Sequence, residues 1–231
     1  MNLIAIYRTI ISPPTDQRFC QYPVTVSARP PSLLKRPADL VLSVLAILVT
    51  SPLWVVIAIL IYLEDRGPVL FFQPRVGRNG RSFNLVKFRS MVPDAEARKA
   101  ALIGMSDVKG AFKMKDDPRV TRIGKRIRKY KLDELPQFLN VLAGDMALVG
   151  PRPTSLEEVN RAYNEAFCQK FIAGAKPGLT GLTQIVEARY GKLDLEDQIR
   201  YDVEYIENQS LACDLLIMLF TVPAVVLGKS V

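Results

Sequence analysis

Residues 40 to 63, LVLSVLAILVTSPLWVVIAILIYL, run for 24 positions without a charged side chain. That length suits a helix able to cross a bilayer. The run starts too far into the chain, and continues too long, for a signal-peptide core. Two features complicate a simple crossing. Ser51-Pro52 lies at its centre, where proline lacks a backbone donor and favours a kink. Each arm is then about 18 Å long, against a hydrocarbon core of about 30 Å. Both flanks are also basic: Lys35 and Arg36 before, then Arg66, Arg75, Arg78 and Arg81 after. The positive-inside rule would put both ends on one side. A helix-break-helix entering and leaving one leaflet satisfies both features. A crossing helix that tolerates its proline remains the other reading of these residues.

Charge and composition narrow the chemistry. The chain has 31 Lys and Arg against 23 Asp and Glu, a formal charge of +8. Such an excess points to an anionic partner. Histidine is absent, which excludes Ser-His-Asp and Cys-His catalysis and His-ligated zinc. Cys20, Cys168 and Cys213 form no CxxC pair and suit a reducing compartment. Catalysis would rest on carboxylates, amines, guanidiniums, hydroxyls or a metal.

The remaining elements are read from pattern. A short helix is expected near Ile4 to Ile11. PVLFFQPRVGRNGRSFNLVKFRSM predicts a β-hairpin turning at Asn79-Gly80, with Phe83, Leu85, Lys87 and Arg89 on one face. Helix is expected over 94–103, followed by a loop. Asp117-Pro118 is expected to start a basic helix as cap and first residue. Ser155 and Glu158 form a capping-box pattern, with Leu156, Val159, Tyr163 and Phe167 as the stripe behind it. KPGLTGLTQ reads as a turn and loop. Asp194 is expected to cap a helix with Leu195, Ile199, Val203 and Ile206 on its apolar stripe. LLIMLFTVPAVVL, residues 215 to 227, is too short to cross and reads as an interfacial or packed helix.

KLDELPQFLNVLAGDMALVGPRP, residues 131 to 153, places Asp133 and Glu134 within the most basic stretch. On spacing alone the pair is best read as a helix start, Asp133 capping and Glu134 in the first turn. The functional reading has its own physics. Two carboxylates among cations can hold Mg²⁺ with a diphosphate, or one can attack phosphorus. Lys87, Arg89, Arg128 and Arg152 are the candidates to neutralise phosphoryl oxygens. Neither a P-loop nor GxGxxG is present.

The order of these motifs closely resembles the bacterial sugar transferase family, the monotopic phosphoglycosyl transferases. The segments are KRPADLVLS before the apolar run, the hairpin with its KFR, DDPRVTRIGKRIRKYKLDELPQFLNVLAGDMALVGPRP, and KPGLTGLTQ. The resemblance runs from about Lys35 to the C-terminus and replaces the helix-start reading of the acidic pair.

The resemblance implies an α+β, mainly helical monotopic membrane protein. It would comprise a re-entrant helix-break-helix, a β-hairpin and interfacial amphipathic helices. Residues 1–34 would be an N-terminal extension, 35–66 the re-entrant helix broken at Ser51 and Pro52, and 67–231 the cytoplasmic catalytic domain with C-terminal interfacial helices. It implies transfer of a sugar phosphate from a UDP-sugar to undecaprenyl phosphate, by a ping-pong path with Mg²⁺, initiating polysaccharide or glycoprotein glycan synthesis. Asp133 matches the family nucleophile and Glu134 its partner, both toward the metal. Lys87, Arg128 and Arg152 match phosphate-binding positions, with Arg89 beside them in KFR. Where many members have Trp-Ala-Gln-Val and Gly-Arg, this chain has LTQIVEAR. There Thr180, Gln184 and Arg189 are the candidates for the nucleotide or sugar. The expected location is the cytoplasmic face of the bacterial inner membrane. The expected partners are phospholipids and downstream glycosyltransferases, and not nucleic acid. The alternative is a catalytically inactive membrane scaffold.

Overall fold

The computed structural model describes residues 3–11, 30–102, 117–155 and 175–226. The Leu156, Val159, Tyr163 and Phe167 stripe, Cys20, Cys168 and most of the loop after residue 103 lie outside them.

α1 (Leu3–Ile11) is followed by α2 (Lys35–Asp65), which contains the whole charge-free run. At 31 residues α2 is about 46 Å along its axis. Helical structure continues through Pro52. Proline leaves the Leu48 carbonyl without its usual amide donor, and the Ser51 hydroxyl supplies one at 3.0 Å. Thr50 Oγ1 likewise donates to the Ala46 carbonyl, 2.7 Å, and accepts from Trp54 Nε1, 3.0 Å. The Ser-Pro pair therefore carries its own repair for the backbone bond that proline removes.

Both ends of α2 fasten to one body. At the N-terminal end Lys35 Nζ donates to Asp214, 2.6 Å, and to the Val149 carbonyl, 3.0 Å. Arg36 donates to the carbonyls of Val141 and Leu142. At the other end Glu64 accepts the amides of Arg122 and Ile123, and Asp65 pairs with Arg89. Trp54, Ile57 and Ile61 pack with Phe88, Ile127, Leu132 and Leu135. Each fully buried aliphatic side chain there contributes about 1.5–3 kcal/mol. Between these anchors Val44, Leu45, Leu48, Val49 and Leu53 are exposed.

β1 (Leu70–Val76) and β2 (Ser82–Phe88) form the expected antiparallel hairpin. Arg78–Gly80 makes the turn, with Asn79 and Gly80 both at positive φ, 60° and 74°. Leu85 enters the main core, while Phe88 joins the cluster under α2. Edge-to-face packing of Trp54 on Phe88 seals that second cluster, with centroids 5.8 Å apart.

α3 (Ala95–Leu102) matches the expected helix. α4 (Arg122–Lys129) starts later than expected. Thr121, not Asp117, is its cap and accepts from Gly124 N at 2.9 Å. Asp117 instead binds Arg119 through two oxygens, at 2.9 and 2.7 Å. The bidentate pair draws Asp117 away from capping duty.

α5 (Gln137–Ala143) and the short strands β3 (Ala147–Val149) and β4 (Gly178–Thr180) come next. β3 and β4 pair in parallel, so Gly178–Thr180 is a strand rather than the expected loop. Glycine permits this pairing. A Cβ on Gly178 would meet Gly150 N at 2.1 Å, and one on Gly181 would meet Gly150 O at 2.2 Å. α6 (Leu182–Tyr190), α7 (Leu195–Asn208) and α8 (Leu211–Val226) complete the described chain. Asp194 caps α7 as expected, accepting from Asp197 N at 2.8 Å. The main core joins Ile6 and Ile10 of α1 to Leu85, Val149, Val186, Ile206 and Ile217.

Candidate active site

The acidic pair is not a helix start. Asp133 and Glu134 lie in a 3₁₀ turn, Leu132–Glu134, and α5 begins after Pro136 without a side-chain cap. Lys131, at φ 53°, turns the chain left-handed between α4 and this turn. The flanking Leu132 and Leu135 hold it down by packing in the cluster under α2. Asp133 is thereby buried, while Glu134 keeps partial exposure.

Cations surround the pair. Lys87 on β2 reaches Glu134 with 3.8 Å between Nζ and Oε1. Arg128, from the last turn of α4, also acts on Asp133. Burial is the main cause raising the Asp133 carboxyl to about 6, and the Glu134 charge adds to it. Lys87 and Arg128 pull the other way. Burial lowers Lys87, against the attraction of Glu134 and Asp133. The charges of Arg75 and Arg152 add repulsion there.

Arg152 sits on the strap after β3. Its amide donates to Asp202 Oδ2 at 3.1 Å, and its guanidinium to Glu187 Oε2 at 3.3 Å. Glu187 in turn accepts from Gln198, and Asp202 accepts from Thr183 at 2.6 Å. Burial raises Asp202 to about 7, with its Thr183 and Arg152 hydrogen bonds opposing. The pairing of β3 with β4 delivers α6 and α7 to this strap.

Asn140 on α5 completes the frame. Its side chain accepts from Val86 N, 3.0 Å, and donates to Asn84 O, 2.8 Å. One amide thus pairs with the free edge of β2 as a neighbouring strand would, which fixes α5 and the acidic turn against Lys87.

The sequence candidates therefore separate. Asp133, Glu134, Lys87, Arg128 and Arg152 share one electrostatic site. Arg89 is engaged with Asp65 at the end of α2, against Gly67, where a Cβ would meet the guanidinium at 2.4 Å. Thr180 pairs with Thr221 of α8 at 2.7 Å. Arg189 is exposed, with its guanidinium over the Tyr190 ring. Gln184 turns a buried Oε1 without a hydrogen-bond partner among the described residues. Sequence reasoning missed Glu187, Asp202 and Asn140, and took Arg75 only as a membrane flank. The alternation of β1 was the one signal for Arg75, since it shares a face with Gln73, which is opposite Leu85.

Two adjacent carboxylates suit Mg²⁺, which keeps several waters and uses one or two carboxylates with substrate phosphates. No group of three or more His, Cys, Asp or Glu able to hold a metal occurs among the described residues. Asp133 and Glu134 thus fit a metal that the substrate helps to ligate, and do not form an all-protein cage.

Residues 31–228 match the family model described as bacterial sugar transferase. The chain is 49% identical over 166 residues to the galactosyl transferase CpsE of Streptococcus agalactiae serotype III (strain NEM316), covering 71% of this chain and 36% of that protein. It is 40% identical over 198 residues to the UDP-N-acetylgalactosamine-undecaprenyl-phosphate N-acetylgalactosaminephosphotransferase of Aeromonas hydrophila, covering 85% and 44%. It is 37% identical over 202 residues to the exopolysaccharide production protein ExoY of Sinorhizobium fredii (strain NBRC 101917 / NGR234), covering 84% and 86%. The chain spans less than half the length of the first two and most of the third.

Proposed function

The chain belongs to the bacterial sugar transferase family, and from that premise we propose that it moves a sugar-1-phosphate from a UDP-sugar to undecaprenyl phosphate. The products are undecaprenyl-diphospho-sugar and UMP. One observation carries this reading. The acidic turn, with Lys87 and Arg128 beside it and Arg152 acting on Lys87, is bracketed by leucines that pack on the apolar helix α2. A phosphate on a lipid and a water-soluble diphosphate can meet there.

In the first half-reaction an Asp133 oxygen attacks the β-phosphorus of the donor. The new O–P bond forms as the bond to the bridging oxygen breaks, and UMP leaves with that oxygen and its electron pair. An aspartyl phosphosugar remains. In the second half-reaction an oxygen of undecaprenyl phosphate attacks the same phosphorus and displaces the Asp133 carboxylate. Lys87, Arg128 and Arg152 hold phosphoryl oxygens and offset their charge. Glu134 keeps Lys87 in place and faces the acceptor phosphate. Asp133 and Glu134 would hold Mg²⁺, which would supply further neutralisation of phosphoryl charge.

α2 enters and leaves one leaflet, with its apex in the lipid, on the cytoplasmic face of the bacterial inner membrane. The fastening of both its ends to one body and the exposed apolar centre support this. The lipid product primes polysaccharide or glycoprotein glycan assembly, and downstream glycosyltransferases take it up. An inactive scaffold is the weaker reading. It gives no account of a carboxylate kept buried beside a second carboxylate, an arrangement that costs stability.

The test is mass spectrometry of the purified protein with Mg²⁺ and a panel of UDP-sugars, without lipid. A phosphosugar adduct on Asp133 with release of UMP is expected, and the donor that gives it names the sugar. Turnover in the presence of undecaprenyl phosphate but with no trapped adduct would sink the covalent path. No turnover with any donor would sink the transferase reading.

A further inference from the structure

α1 precedes the residues matched by the family model, yet it is built into the body. Ile6 and Ile10 have 0% exposure in the main core. Thr9 Oγ1 donates to Glu204 of α7 at 2.6 Å, and Tyr190 of α6 donates to the Ile10 carbonyl at 3.0 Å. One side of α1 is thus accounted for. Leu3, Ile4, Tyr7 and Ile11 are exposed on the other side.

α8 divides its residues the same way. Cys213 and Ile217 are buried, while Leu215, Leu219 and Val222 form an exposed stripe with helical spacing. The helices adjoin, with the Tyr7 and Phe220 rings 6.4 Å apart. The first turn of α8 is also pinned to the first turn of α2 by the Lys35–Asp214 pair. The apolar stripe of α8 therefore starts at the foot of the charge-free helix, and α1 lies beside it.

We infer that α1 extends the interfacial surface expected of the C-terminal helix α8, lying flat in the bilayer interface beside α8 and α2. The bilayer is the fitting occupant for three reasons. The stripe is continuous with the root of α2. α1, about 14 Å long, is too short to cross and so lies flat. Exposed Arg8 and the +8 formal charge complement anionic headgroups, and Tyr7 suits the interfacial zone. This goes beyond the transfer reaction and rests only on the membrane reading of α2.

The experiment places spin labels on the full chain in mixed phosphatidylcholine and phosphatidylglycerol vesicles. Cys20→Ser and Cys168→Ser clear the background, and Cys213 is buried. Single cysteines then go to Ile4, Leu219, Val49 and Asn79, with Leu3 as a second probe of α1. Because these side chains are exposed, the labels leave the core intact. Collision with oxygen relative to a water-soluble nickel chelate should be several-fold higher at Ile4, Leu3 and Leu219 than at Asn79. Equal ratios at Ile4, Leu3 and Asn79, with Val49 in lipid, would overturn the inference alone. Exclusion of both reagents from Ile4 would indicate a protein partner, such as a second copy, and would also overturn it. Val49 in water would remove the membrane reading of α2 and this inference with it.

Discussion

Asp202 never touches the acidic pair, yet it holds the amide of Arg152 and so bears on the site from 50 positions away in sequence. Its carboxyl, raised to about 7 by burial, also links the fold to pH. An unfolded aspartate titrates near 3.9. Between roughly pH 4 and 7 the folded chain therefore holds more protons than the unfolded one, and stability falls as pH rises. The favourable contribution is complete below about pH 4 and gone above about pH 7. Asp202→Asn should flatten that part of the curve, by at most about 4 kcal/mol across the window. Thermal unfolding of both proteins in detergent from pH 4 to 8 measures it, and parallel curves would remove Asp202 as the cause. Asn140 shows a different economy at this scale. A single amide supplies both an acceptor and a donor to β2, and a carboxylate could supply only the acceptor.

Among the elements, the β3–β4 pair is the one that the sequence concealed. The three-residue strand Gly178–Thr180, with Gly181 after it and Gly150 against it, reads as turn and loop, because nothing local reveals that two backbones meet. The same glycines appear in LVGPRP and KPGLTG, so those strings encode a close backbone crossing as well as a cation. Gly178→Ala should cost roughly 1–3 kcal/mol or more, because the atoms in the way are backbone and cannot turn aside. A lowered midpoint in thermal unfolding checks this, and an unchanged midpoint would mean that the strands separate at no cost. By contrast the apolar extent of α2, the hairpin and the Asp194 cap were legible, since each depends on residues near in sequence, whereas the break expected at Ser51 and Pro52 does not interrupt the helix. Asp117 was misread because Arg119, two residues on, competes for its oxygens.

At the scale of the whole molecule, the acidic pair and the cations near it were legible as residue types, but their gathering was not. Arg152 depends on Glu187 and Asp202, and Arg89 is diverted by Asp65. Each of these partners belongs to another element, and only the packed fold brings them together. The topology of α2 is the largest open consequence. Pro52→Leu restores the missing amide at the Leu48 carbonyl and removes the steric reason to bend. The variant should therefore shift towards a crossing helix and lose the proposed transferase activity. Labelling Ser32→Cys and Arg66→Cys in intact cells with an impermeant thiol reagent reads the topology. Both sites should be protected in the parent, and one should become reactive in the variant. Protection of both in the variant would show that proline is not the determinant.

The anchoring of α2 has a mechanical meaning. Its first arm holds Leu148 and Val149, next to the strap that bears Arg152, whereas its second arm holds Leu132 and Leu135 on either side of Asp133. The two halves of the site thus hang from opposite limbs of one helix, like the jaws of a caliper. Whatever flexes that helix therefore sets the gap between the jaws.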